Sequence, residues 1–197
     1  FGDLSGNRDF DANVYVLSSD LKPLGQIEGL APGEKIRAVR FLGTRAYLDT
    51  LKQSGHLLAL DLSDSKAPKL LGEIKIPGFS AYFYPYNEKT LIVLGRNTET
   101  DVYGNVRAGG LKLSLFDVGD VANARELDSY VAGSVGSDSL ALCDDKAFLF
   151  DSGKNLLAIP ASLTASASGN QVYFSGALVF GVENGKFSLK FQIDHSD

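Results

Sequence analysis

Two pairs of carboxylates invite a chemical role: Asp61 with Asp64 in LDLSD, and Asp117 with Asp120 in FDVGD. Paired acids are the equipment of general acid–base chemistry, in which one carboxyl is protonated while its partner is ionised. Their repetition argues for a different job. Asp tolerates tight turns and accepts hydrogen bonds from backbone amides just ahead of it, so a pair recurring at equivalent positions is expected to shape a turn.

A second set lies in RNTETDVYGNVRAGG, residues 96–110. Arg96, Glu99, Asp101, Tyr103 and Arg107 combine both charges with an aromatic ring, a mixture suited to polar recognition of a protein or glycan. Within it, Asn97, Glu99 and Asp101 set oxygen ligands at alternate positions ahead of Gly104, as a calcium loop would. The glycine comes late and the closing bidentate carboxylate is absent, so solvated loop acids are the simpler expectation. No other cofactor is implied.

Known catalytic patterns are missing. Neither His56 nor His195 sits in a nucleophile motif, and there is no G-x-S-x-G, P-loop or H-E-x-x-H. GNVRAGG does not join a strand to a helix, which argues against a phosphate cradle. Cys143 is the single cysteine, so no disulfide can form within the chain, and SLALCDD is expected to bury it in a strand. Tyr82, Phe83, Tyr84 and Tyr86 could make a platform for a sugar or peptide, although strand packing is the commoner use of such a run.

The elements that must position these residues repeat. HLLALDLSDSKAPKLLGEIKIPG and LKLSLFDVGDVANARELDSYVAG each run an apolar strand through an Asp-x-x-Asp turn into a second strand ending at glycine. NVYVLSSD and GALVFGVEN echo the pattern, and the turn residues Asp20, Asp64, Asp120 and Asn184 are spaced by 44, 56 and 64. A period in the forties is typical of four-stranded propeller blades, with insertions accounting for the longer intervals. Each unit also offers four short segments rich in β-branched, aromatic and leucine residues, broken by Gly, Asn, Asp or Pro. These are KIRAVRFLG, RAYLDTLK, HLLALDLSD and PKLLGEIKI; then SAYFYPYN, KTLIVLGR, LKLSLFDV and RELDSYVA; then DSLALCDD, KAFLFDSG, GALVFGVE and FSLKFQID. No helix-length amphipathic segment is evident.

The expected fold is therefore all-β: a partial β-propeller of four-stranded antiparallel blades, about three and a half of them, with about 14 strands. Residues 1–12 form a lead-in. A half blade covers 13–34, and blades follow at 35–78, 79–133 and 134–197. Strands alternate in direction, so connections from second to third strand emerge on one face with those from fourth to first. Both insertions, 96–110 and the Ser/Ala/Gly-rich 160–175 whose composition suits disorder, fall in second-to-third connections. His56 joins them in the preceding blade.

The stretches NVYVLSSDLKPLGQIEGLAPGEKIRAVRFLGTRAYLDTLKQ, LLALDLSDSKAPKLLGEIKIPGFS, GGLKLSLFDVGD and DDKAFLFDSGKNLLAIPAS cover most of 13–195. With them the chain resembles a family of secreted archaeal and bacterial proteins that carry a C-terminal β-propeller distantly related to the tryptophan–aspartate repeats. The resemblance implies an extracellular propeller of largely uncharacterised function, with no established catalytic residues to transfer. Where the family pattern has an acidic residue after IPGFS and a histidine before the next proline, this chain has Ala81 and Tyr84. Family members are also considerably longer.

Composition sets the remaining bounds. The 197 residues carry a net charge of −5, which argues against nucleic acid as a partner. No apolar run approaches the roughly 18 residues of a membrane-spanning helix, and no signal peptide is visible. There is no methionine, so Phe1 is not a translation start and a longer parent chain is expected. An incomplete ring leaves blade edges open, so further blades or self-association should cover them. The expected function is a non-catalytic, extracellular binding module. The alternatives are a fragment of a secreted hydrolase, its active site completed by residues outside this chain, or a structural subunit assembling through its open edges.

Overall fold

A computed structural model describes residues 11–50, 56–76, 79–100, 103–167 and 170–195. Among these there are fourteen strands, three single-turn 3-10 segments and no α-helix. The chain divides into two compact units, Phe1–Ile76 and Pro77–Asp197.

In the first unit, β1 (Ala12–Leu17) and β2 (Pro23–Leu30) form an antiparallel pair, the expected half blade. A four-stranded antiparallel sheet follows, built in chain order from β3 (Ile36–Leu42), β4 (Arg45–Thr50), β5 (His56–Asp61) and β6 (Lys69–Lys75). Ala12 and Leu30 of the half blade share a core with Ala46, Leu48 and Leu60 of the sheet. Fully burying a leucine such as Leu30 contributes about 1.5–3 kcal/mol, and packing against a larger sheet is what a lone strand pair needs for stability. The packing is tight at Gly25 of β2, where a Cβ would lie 2.5 Å from the Ser65 carbonyl oxygen.

The second unit holds two four-stranded sheets. One is β7 (Phe79–Asn87), β8 (Thr90–Thr100), β9 (Val106–Asp117) and β10 (Arg125–Ala132), and the other is β11 (Leu149–Asp151), β12 (Leu156–Ala167), β13 (Asn170–Glu183) and β14 (Lys186–Asp194). One face of each is apolar, and the two faces meet. Ile92, Leu94, Leu113 and Leu115 pack with Leu157, Ile159, Leu178 and Phe180. The tyrosines of β7 stand across from Phe148 and Phe150: ring centroids are 4.7 Å apart for Tyr82–Phe148 and 5.3 Å for Tyr86–Phe150. Packing between sheets, rather than a ligand platform, is thus the use of the β7 tyrosines. On the outer strands, the Phe187 amide donates to Asp128 Oδ2 at 2.7 Å.

The final blade departs from expectation. DSLALCDD is not a strand but carries two 3-10 turns, at Leu140–Leu142 and Asp145–Ala147. Ser139 caps the first by accepting the Ala141 amide, and Asp144 caps the second by accepting that of Lys146. These local bonds displace ladder bonds. Asp138 still faces Ser162, and Leu149 faces Ala158: eleven steps along one strand against four along the other, so seven residues loop out of the first strand. KAFLFDSG accordingly ends that first strand, and NLLAIP begins the second. Cys143 closes a 3-10 turn and is exposed, not buried in a strand.

Candidate functional site

The aspartate pairs resolve into turns. Asp61 accepts the Ser63 amide at 2.9 Å and Asp64 that of Lys66 at 3.0 Å; in the next blade Asp117 accepts Gly119 at 3.0 Å and Asp120 accepts Ala122 at 3.1 Å. Each carboxylate thus closes a loop on the amide two residues ahead. Hydrogen bonds hold two of them below the usual carboxylate range, Asp61 mainly through Ser63 and Asp120 mainly through the Asn123 side chain. They stay ionised and locally engaged, which does not suit a proton-transfer pair. The third repeat turns differently. Asn184 and Gly185, both with positive φ (52° and 72°), make a two-residue hairpin between Glu183 and Lys186.

Both insertions are β-hairpins rather than loops. Beyond the Arg96–Leu111 pair β9 bulges, Gly109 and Gly110 standing against Asn97 alone, and the ladder then resumes through Thr98–Ala108, Glu99–Arg107 and Thr100–Val106. The second insertion, expected to be disordered, continues β12 and β13 through Leu163–Phe174 and Thr164–Tyr173 to Ala167–Asn170. Alternation of β-branched or aromatic residues with small polar ones suits extended pairing better than the Ser/Ala/Gly content suggests. His56 likewise opens strand β5, opposite Lys75, rather than lying in a connection.

One short segment joins the bases of the two hairpins. Arg96 donates from Nη1 to the Ser137 carbonyl and from Nη2 to Asp138 Oδ1 at 2.6 Å. From the other hairpin, the Ser162 amide donates to the Asp138 carbonyl at 2.8 Å and the Asp138 amide returns to the Ser162 carbonyl at 2.7 Å. Ser137, fully buried, accepts the amides of Ser134 at 3.1 Å and Thr164 at 3.0 Å. Gly133 and Gly136 take positive φ of 68° and 94°, which lets the chain turn sharply enough to reach both hairpins. The connection around Gly133–Ser137 was expected to open on the face of the two insertions, but Ser137, Asp138 and Thr164 were not among the site residues expected there. The available signal was GSVGSDS, a turn-rich run where one blade passes to the next.

The predicted site residues separate into groups. Arg96 is committed to the clamp just described. Glu99 stands across from Arg107, with its side chain lying against Gly109. Tyr103, 85% exposed, and Arg107, also exposed, lie toward the tip. Tyr173, 65% exposed, gives the second hairpin an aromatic of its own. Asp101 lies outside the described residues, while the calcium candidates Asn97 and Glu99 sit on a bulged ribbon instead of a loop. His56 belongs to the first unit, its Nδ1 paired with Glu73 Oε1.

In the first unit, Asp49 is 1% exposed and accepts the Arg37 Nε–H at 2.7 Å. Burial raises its pKa despite that partner.

Four-stranded antiparallel sheets in simple chain order, repeated along the sequence, define a β-propeller architecture. A family model described as "Beta propeller domain" matches residues 3–197, and the chain belongs to that family. It is 37% identical over 183 residues to an uncharacterised protein of Methanocaldococcus jannaschii, covering 93% of this chain and 26% of the relative. An uncharacterised protein of Archaeoglobus fulgidus is also 37% identical, over 154 residues, covering 78% of this chain and 23% of that protein. The chain thus spans about a quarter of the length of the curated relatives it matches.

Proposed function

We propose that the chain is a non-catalytic, extracellular binding module that needs no cofactor, and that the paired hairpins of the second unit are its recognition end. The observation carrying this is the 134–138 segment, which ties Arg96 of one hairpin and Ser162 and Thr164 of the other to a common base. A fixed base spares much of the ordering cost of binding, and exposed Tyr103, Arg107 and Tyr173 supply aromatic and charged contacts above it. An extracellular setting is supported by the resemblance to secreted propellers. Protein or glycan is the expected ligand class.

The test is a screen against immobilised glycans and peptides with the parent chain and two double variants. Tyr103→Ala with Arg107→Ala should abolish the strongest signals while leaving the unfolding midpoint unchanged, since exposed substitutions cost little stability. Lys89→Ala with Lys154→Ala, in turns at the opposite ends of these sheets, should bind as the parent does. The reverse pattern would place recognition at the other end.

A further inference from the structure

The two hairpins continue the packed faces of their sheets beyond the clamp. Side chains alternate along a strand, so Thr98 and Thr100 stand on the same face of β8 as Leu94 and Arg96, with Ala108 and Val106 paired across from them. On the facing sheet Leu163 and Ala165 follow Leu157 and Ile159 along β12, and Phe174 pairs with Leu163. Below Arg96 the facing side chains are covered: Leu94 is 0% and Leu113 2% exposed. Above it Val106 is 63% exposed, and Thr98, Thr100 and Ala165 are exposed as well. Leu163 and Phe174 remain half-buried against the core, and a Cβ at Gly176 would come within 3.0 Å of Phe174 Cζ. The sheets therefore meet as far as the clamp, and a cleft opens between the hairpins above it.

Charge is absent from the walls of this cleft and balanced at its floor. The floor is Arg96 with Asp138, which compensate each other at 2.6 Å. Residues 155–182, which include the whole second hairpin, contain no charged side chain. On the first hairpin Glu99 and Arg107 pair on the opposite side of the ribbon. A charged group entering the cleft would lose water and meet no counter-charge among the described residues. What the walls offer is apolar surface: Val106 on one side, Leu163 and Phe174 on the other. Among the described residues they hold no carboxylate or amide side chain to fix the hydroxyls of a sugar.

From this we infer that the cleft between the hairpins is the anchor site for a partner protein. It takes one bulky apolar side chain, aromatic or branched aliphatic, presented by an uncharged stretch of that partner. A few such side chains seated in apolar pockets supply most of the affinity of a protein interface. The inference rests on the recognition reading and narrows it: the ligand is a protein rather than a glycan, and Tyr103 and Arg107 act at the rim of the cleft.

The test probes arrays of immobilised peptides and of glycans with the complete polypeptide encoded by the gene, as the parent, as Val106→Asp and as Ala165→Asp. Each substitution sets one charge on one wall at an exposed position, so neither should move the unfolding midpoint. The strongest signals should come from peptides in which a Phe, Leu or Ile is flanked by uncharged residues, and changing that residue to Asp should abolish them. Both variants should weaken the best peptide at least about tenfold, as expected when an anchor side chain is blocked. Strongest signals from glycans or from charged peptides would overturn the inference, as would the lack of any peptide signal. Unchanged peptide affinity in either variant that keeps its midpoint would overturn it too. Tyr103→Ala with Arg107→Ala separates the two readings. Binding lost there but kept in both Asp variants leaves the recognition end standing without the anchor site, whereas binding kept in all three rejects both.

Discussion

The Asp turns show how a residue that could do acid–base chemistry is used instead to bend the chain. Asp120 accepts from both the Ala122 amide and Asn123 Nδ2, so Asp120→Ala should lower the urea midpoint without altering any ligand affinity. Gly110 is constrained sterically: a Cβ there would meet the Ala132 carbonyl oxygen at 2.6 Å. Gly110→Ala should cost about 1–3 kcal/mol in equilibrium unfolding, the usual range for forcing backbone apart in a packed region. Asp49 gives a pH signature. Its folded pKa is raised, so the native state holds this proton more tightly than the unfolded chain does. Its contribution is therefore fully present below the unfolded carboxylate value of about 3.9 and declines as pH rises through the raised folded value. Asp49→Asn lacks that decline. Whatever its offset from losing the Arg37 partner, its stability relative to the parent should improve between pH 4 and pH 7 in urea titrations. A constant or opposite trend would mean that the carboxylate is not held against its charge.

Strand content and blade grammar were legible because short runs of β-branched, aromatic and leucine residues, four to a unit and broken by Gly, Asn, Asp or Pro, leave few alternatives. Three segments were not. Residues 96–110 and 160–175 lack the apolar density that marks core strands, yet pairing needs only a partner in register, and the core portions of β8 with β9 and β12 with β13 supply it. DSLALCDD erred in the other direction: its leucines alternate as a strand would, but Ser139 and Asp144 cap 3-10 turns within it. Local side-chain bonds there outweighed the hydrophobic pattern. Replacing residues 97–110 with Asn-Gly, directly joining the paired Arg96 and Leu111, should therefore preserve the far-UV spectrum and the cooperative transition while removing recognition. The Arg96–Asp138 pair is partly exposed, so its coupling in a double-alanine cycle should be modest, about 0.2–1 kcal/mol.

At the scale of the whole molecule, a family of β-propellers and a chain spanning a quarter of its relatives frame the account. What the sequence did not display is the connection between the hairpins, because Ser137, Asp138 and Thr164 act through backbone bonds that no residue pattern announces. That connection is the central structural claim, and amide hydrogen exchange reaches it most directly. The amides of Asp138 and Ser162, each bonded to the other's carbonyl, and that of Thr164, bonded to Ser137 Oγ, should exchange as slowly as those of Leu94 and Leu113 in the paired strands of the neighbouring blade. Fast exchange at all three, with Leu94 and Leu113 still protected, would show that the hairpins move independently and would contradict a common recognition end.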